Sequence, residues 1–204
     1  MGKQGVINIE REAELSGSTH DKGVLILSGY MGRIFAQSHP LSLSISITFE
    51  QSYDGIDGDS ASSTELYAIL SSLADIPIKQ GIAVTGSVNQ KGQIQAIGGV
   101  NHKIEGFYEV CKTKGLNGKQ GVMIPRANQK NLMLSKEVIQ AVKKRQFHVY
   151  QVATIQEGLE ILTGTPAGQA DPDGHFPQGS VYGAVQQKLK QYYQRSLALK
   201  KELE

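Results

Sequence analysis

Residues 41–50, LSLSISITFE, alternate without a break: Leu41, Leu43, Ile45, Ile47 and Phe49 against Ser42, Ser44, Ser46 and Thr48. A period of two puts these sets on opposite faces of a pleated strand, so the segment predicts a half-buried strand. GVINIERE (5–12) alternates in the same way and predicts another strand. HDKGVLILSGYMGRIF (20–35) is β-rich in composition, yet Tyr30, Ile34 and Phe35 extend an apolar spacing that predicts a helix, with Asp21 as its cap. GDSASSTELYAILSSLADI opens a further helix that ends near Asp75, ahead of Pro77.

GIAVTGSVNQKGQIQAIGG (81–99) predicts a hairpin with NQKG as its turn. VNHKIEGFYEVCKTKG predicts a helix closed by Gly115, with Val100, Ile104, Phe107 and Cys111 as its buried stripe. QGVMIP reads as a short buried strand, SKEVIQAVKK as a helix and FHVYQVA as a strand. TIQEGLEILTG is a last core helix, Thr154 and Glu157 standing at capping-box spacing. A Pro/Gly-rich linker covers 165–180, and 181–204 forms a basic amphipathic helix. Antiparallel pairs and intervening helices of this kind make an α+β fold, a mixed β-sheet with packed helices, with α/β on a mixed sheet as the alternative. The divisions fall at 1–164, 165–180 and 181–204.

Composition narrows the function classes. Hydrophobic residues make up 39% of the 204 positions and charged residues 20%, as in ordinary globular proteins. A formal net charge of +2 gives no electrostatic footprint for nucleic acid. The lone Cys111 excludes an intrachain disulfide, fits a reducing compartment and lies on an apolar stripe as inert core. No apolar run reaches membrane-spanning length, and the opening MGKQGVINIERE has no secretory apolar region. It reads as a strand joined mid-stream, which predicts a piece of a longer protein.

Candidate chemistry centres on GDSASSTEL (58–66), where Ser60, Ser62 and Ser63 stand at a helix start. Serine is a favoured cap, and Ser62 with Glu65 meets the capping-box spacing. Ser60 does not, and so lies one step outside on the turn, where Gly58 permits a sharp bend and Ala61 leaves room. A hydroxyl there faces solvent, beside backbone N–H groups of Ser60 and Ala61 able to hold an oxyanion. A nucleophilic serine needs a base, and GDSAS lacks the second glycine of the G-x-S-x-G elbow. Lys103, in the first turn of its helix at the edge of the apolar stripe, is the alternative: the helix dipole and partial burial both depress its pKa. The competing reading is a lysine that snorkels to water. His102 projects to the opposite, solvent face. Asp57 and Asp59 in DGIDGD have turn chemistry as their plain explanation.

DGDSAS together with AVTGSVNQKGQIQAIGGVNHKIEG resembles the proteolytic domain of Lon proteases, over roughly residues 20–163. GDSAS is similar to the archaeal-type (B-type) branch and its bacterial relatives without a membrane anchor. The linker and last helix lie outside the resemblance. It implies a Ser60–Lys103 dyad, Thr85 near the lysine, and Asp57 at an acidic position that contacts the lysine in some members. It further implies an ATP-fuelled ring, commonly a hexamer, that degrades unfolded or damaged proteins in the cytoplasm. The chain has no G-x-x-x-x-G-K-[ST] loop. ATP and Mg would therefore belong to an AAA+ ATPase region preceding Met1, with no cofactor or metal in this chain, and no nucleic acid or membrane as partner. Two rival readings are a non-catalytic assembly module, with Ser60 as a mere cap, and a phosphate-binding, small-molecule kinase-like domain.

Overall fold

The computed structural model describes residues 4–202, so the outer ends of regions 1–164 and 181–204 lie outside the described residues. Strand β1 (Gly5–Asn8) is followed at once by a helical turn, α1 (Ile9–Glu12), so the alternation of 5–12 is strand for half its length. The cause is Glu10, which is buried, its Oε1 accepting from the Phe49 amide at 2.6 Å and the Thr48 hydroxyl at 2.8 Å. Helix α2 (Ser18–Phe35) buries Val24, Leu27, Tyr30, Met31 and Phe35. Asp21 does not cap it, since its carboxylate accepts from Asn8 Nδ2 and Ser16 Oγ. The Thr19 and His20 amides instead donate to Asp57 Oδ1, at 3.2 Å each. Strand β2 (Ser44–Ile47) pairs parallel with β1 and stops where Thr48 and Phe49 turn to Glu10.

Helix α3 (Ser62–Ala74) ends at Asp75, which takes the left-handed conformation (φ 56°) ahead of Pro77. Strand β3 (Ile82–Val84) is not an arm of the predicted hairpin. That hairpin is confined to β4 (Ser87–Val88) and β5 (Ile94–Gln95), turning through Asn89–Gly92. Helix α4 (Val100–Lys114) then leads to β6 (Gly121–Pro125), which pairs parallel with β3. Helix α5 (Lys136–Lys143) and β7 (His148–Val152) follow, giving a parallel sheet in the order β3-β6-β7. The helices are the crossovers that parallel neighbours require. Helix α6 (Ile155–Thr163) starts as predicted, Thr154 Oγ1 accepting from the Glu157 amide at 3.3 Å. The architecture is α+β as expected, though two of the three sheets among the described residues are parallel.

Two apolar clusters hold these layers together. One joins α2, α3 and α6 with the last helix, α7 (Val181–Glu202), through Leu27, Leu66, Leu70, Leu159, Val185 and Leu189. Here Tyr30 and Tyr182 share a hydrogen bond between their hydroxyls at 2.5 Å. The other packs α4 and α5 on the parallel sheet through Ile104, Val122, Ile124, Val138 and Phe147. On α4 the buried stripe is Val100, Ile104, Tyr108 and Cys111; Tyr108, rather than Phe107, lies inside, against the edge of the Phe147 ring. Among the described residues no helix is long and apolar enough to cross a membrane.

Candidate active site

The turn Gly58–Ala61 carries the chain from the 53–57 loop into α3. Gly58 adopts φ +91°, a conformation that side chains rarely take, so the sharp bend ahead of Ser60 depends on glycine. The turn is stitched to the 84–88 segment along its length. Gly86 donates to the Ser60 carbonyl at 2.8 Å and accepts from the Ser63 amide at 3.2 Å, while Ser87 Oγ donates to Asp59 Oδ2 at 2.8 Å. A Cβ on Gly86 would come within 2.9 Å of Ile94 and 3.2 Å of Ser63 Oγ, so this close approach excludes a side chain there. The Thr85 amide donates to Met123 of β6 at 3.0 Å, which ties the assembly to the central strand of the parallel sheet.

Ser62 is not a cap. Ala61 occupies the N-cap position, and no side chain satisfies it. The buried Ser62 hydroxyl instead accepts from the Val88 amide at 3.1 Å. Glu65 does not complete a capping box either; it is buried and its carboxylate has no hydrogen-bond partner among the described residues. Sequence spacing offered a local partner, and a distant segment took the hydroxyl. Ser60 does lie outside the helix, half-buried at the edge of a groove of about 320 Å³ that Phe49, Thr64, Val84 and Val122 also line.

Helix α4 delivers Lys103 to the same groove. Gly99, at φ +66°, turns the chain into the helix, and the Lys103 side chain runs back from the first turn. Its Nζ lies 2.8 Å from Ser60 Oγ and 3.1 Å from Thr85 Oγ1. Thr85 is buried and its hydroxyl also donates to the Ser60 carbonyl at 3.4 Å, so it links both members of the pair. Partial burial pulls the Lys103 pKa below its ordinary value, and the nearby Asp59 carboxylate opposes that shift. Much of the lysine remains open to water, which keeps the effect moderate. The amides of Ser60 and Ala61 donate to no protein group among the described residues.

The structure brings Ser60, Lys103, Thr85 and Ala61 together and leaves Asp57 apart. The Asp57 carboxylate is engaged by the α2 amides and makes no hydrogen bond to Lys103 among the described residues. Those backbone bonds, with Gly58 first, hold its pKa below the usual carboxylate range. A Cβ at Gly17 would overlap that carboxylate, so glycine is needed beneath it. The acidic residue nearest in influence to Lys103 is Asp59, which turn composition alone had explained away. His102 is exposed, as expected. Among the described residues one trio of possible metal ligands is close enough to share an ion, Asp171, Asp173 and His175 in the 165–180 segment. The Asp171 carboxylate there accepts from the amides of Asp173 and His175, as in an ordinary Asx turn.

The family model for the Lon protease (S16) C-terminal proteolytic domain matches residues 45–164. The chain belongs to the Lon protease family. A Lon protease homolog of Escherichia coli (strain K12) is 46% identical over 162 residues, which are 79% of this chain and 28% of that protein. One from Haemophilus influenzae is 45% identical over 190 residues, covering 93% of this chain and 32% of that protein. That match extends into the linker and last helix, which the motif resemblance had left out. The archaeal Lon protease of Thermococcus kodakarensis is 32% identical over 176 residues, with 79% of this chain and 26% of that protein covered. The chain thus spans about a third or less of the length of these relatives. Residues 45–164 are a Lon proteolytic domain, and α2 and α7, which lie outside that match, supply part of its core.

Proposed function

We propose that this chain is the peptidase part of an ATP-dependent Lon-type protease, working through a Ser60–Lys103 dyad. The observation that carries the reading is the 2.8 Å contact between Ser60 Oγ and Lys103 Nζ, inside a domain of proteolytic family. With Lys103 neutral, that contact runs from the Ser60 O–H to the Nζ lone pair, the arrangement of a nucleophile and its general base. Thr85 Oγ1 accepts one N–H of Nζ and so aims the lone pair at Ser60. Ser60 Oγ attacks a peptide carbonyl, and the developing oxyanion turns to the unengaged amides of Ser60 and Ala61 at the N-terminal end of α3. The intermediate collapses to an acyl-enzyme, the Lys103 ammonium giving its proton to the leaving amine. Water, deprotonated by Lys103, then hydrolyses the ester and restores Ser60.

The wider reading follows from the family. The domain would sit in a homo-oligomeric ring, a hexamer in our proposal, fed unfolded or damaged protein by an AAA+ ATPase region of a longer cytoplasmic chain. ATP and Mg would be held by that region, and every step above is carried by residues of this chain. The test is peptide turnover. The 204-residue chain should cleave short unfolded peptides slowly and without response to ATP, and Lys103→Arg should abolish cleavage, because guanidinium stays protonated at any usable pH. Undiminished cleavage by Lys103→Arg would remove lysine from the mechanism.

A further inference from the structure

Behind the nucleophile turn lies a group of buried polar side chains that the dyad does not use. Asn8, Glu10, His20 and Glu65 are each at most 5% exposed. Asn8 Oδ1, Glu10 Oε2, His20 Nε2 and both Glu65 carboxylate oxygens have no hydrogen-bond partner among the described residues. Buried polar atoms are almost always paired, so several unpaired ones in one place call for a role. They come from four elements: the end of β1, α1, and the first turns of α2 and α3. His20 Nδ1 stands 3.7 Å from Glu65 Oε1, and the ring meets Phe49 edge-on at 5.9 Å between centroids.

We infer that Glu10, His20 and Glu65 form a buried proton-binding centre that positions the nucleophile turn. The inference rests on the reading of Ser60 as the nucleophile. Each of the three residues is one hydrogen bond from an end of the turn or from a wall of its groove. The Glu65 amide donates to the Ala61 carbonyl at 3.0 Å, at the N-cap of α3. The His20 amide donates to Asp57 Oδ1 at 3.2 Å, on the residue just ahead of the turn. Glu10 Oε1 accepts from the amide of Phe49, whose ring lines the groove beside Ser60. Repulsion between Glu10 and an ionised Glu65 therefore acts on the α3 end of the turn and on one wall of the groove.

The charges facing Glu65 set what its proton does. Glu10 faces it from α1 and His20 from α2; at the margin stand Asp21, held by Asn8 and Ser16, and Asp57, held by the α2 amides. Burial, with the Glu10 charge adding to it, pushes the Glu65 carboxyl up to about 7. Glu10 itself is held low by the Phe49 and Thr48 hydrogen bonds and His20, which together outweigh its burial. Below neutrality Glu65 carries its proton and Glu10 is the one ionised carboxylate of the centre. Above it, a second buried carboxylate appears with no donor but the imidazole to offset it, and the turn loosens.

Two readouts on the full chain test this together: site-resolved ¹³C NMR of the glutamate carboxyls, and the rate at which a fluorophosphonate probe labels Ser60, both followed across pH. The Glu65 carboxyl should titrate near 7, and Glu10→Gln should move that midpoint down. As pH rises through the midpoint, wild-type labelling should fall severalfold behind that of Glu65→Gln. Titration of Glu65 in the ordinary carboxylate range overturns the inference, as do superimposable labelling profiles of the two proteins. If Glu65→Gln does not fold, Glu10→Gln carries both readouts, with its labelling sustained to higher pH. Absence of Ser60 labelling in the wild type at every pH overturns the nucleophile reading, and the positioning role with it. The NMR titration distinguishes that failure from a failure of the proton centre.

Discussion

Ser60 Oγ faces Lys103 Nζ at 2.8 Å, whereas Ser62 Oγ, on the other side of Ala61, accepts the buried amide of Val88 at 3.1 Å. Ser60→Ala should leave thermal unfolding nearly unchanged and lower peptide turnover by orders of magnitude, because no acyl-enzyme can form. Ser62→Ala should leave the chemistry and cost about 1–3 kcal/mol, the penalty of an amide left buried without a partner. Thermal melts and turnover on both variants check the pair; a stable, inactive Ser62→Ala would reverse the assignment. The pH profile belongs at this scale as well. Lys103 must be neutral to act as base, and its pKa is lowered, so turnover should rise with pH and level off below the ordinary lysine value of ~10.4. Asp59 favours the ammonium, so Asp59→Asn should shift that rise toward acid pH. An unshifted or alkaline-shifted profile would separate Asp59 from Lys103. Ser60, Lys103 and Thr85 were legible because their types and order form a motif. The job of Ser62 was not, since Val88 reaches it from a segment that no local spacing connects.

At the scale of elements, local periodicity found the helices well and the strand partners poorly. The apolar spacing through Tyr30, Ile34 and Phe35 marked α2 despite its β-rich composition, and Gly115 closed α4. The pairing of Ile82–Val84 with β6 was invisible, because a strand's partner is chosen by the layers that cover it, here α4 and α5. Residues 9–12 lost their strand character to one buried carboxylate, Glu10. Close packing between elements also sets residue choice. A Cβ at Gly158 of α6 would overlap the ring and hydroxyl of Tyr67 on α3. Gly158→Ala should therefore destabilise the fold by about 1–3 kcal/mol, the usual cost of overpacking, although alanine favours helix. A melt at or above the wild-type midpoint would show that α3 and α6 separate more easily than their contact implies.

Across the whole molecule, α7 is bound into the same apolar cluster as α3. Val181, Tyr182, Val185 and Leu189 are each at most 1% exposed. Burying one large apolar side chain contributes about 1.5–3 kcal/mol, and a domain's net stability is only about 5–15 kcal/mol. A chain ending at residue 180 should therefore lose its cooperative unfolding transition, which calorimetry would record. An unchanged transition would make 181–204 an appendage. The composition of 165–180 marked a break between regions, yet composition does not tell whether the helix beyond packs back. It does so through one face, Val181, Tyr182, Val185 and Leu189, whose spacing the sequence displays and whose partner it does not.

The central claim is that Ser60 is the nucleophile and Lys103 its base. The most direct measurement is to treat the chain with a fluorophosphonate probe, digest it and map the adduct by mass spectrometry. The account predicts one adduct, on Ser60, forming in the wild type and in Ser62→Ala and absent from Lys103→Arg. An adduct on another serine, or labelling of Ser60 at an equal rate in Lys103→Arg, would contradict it.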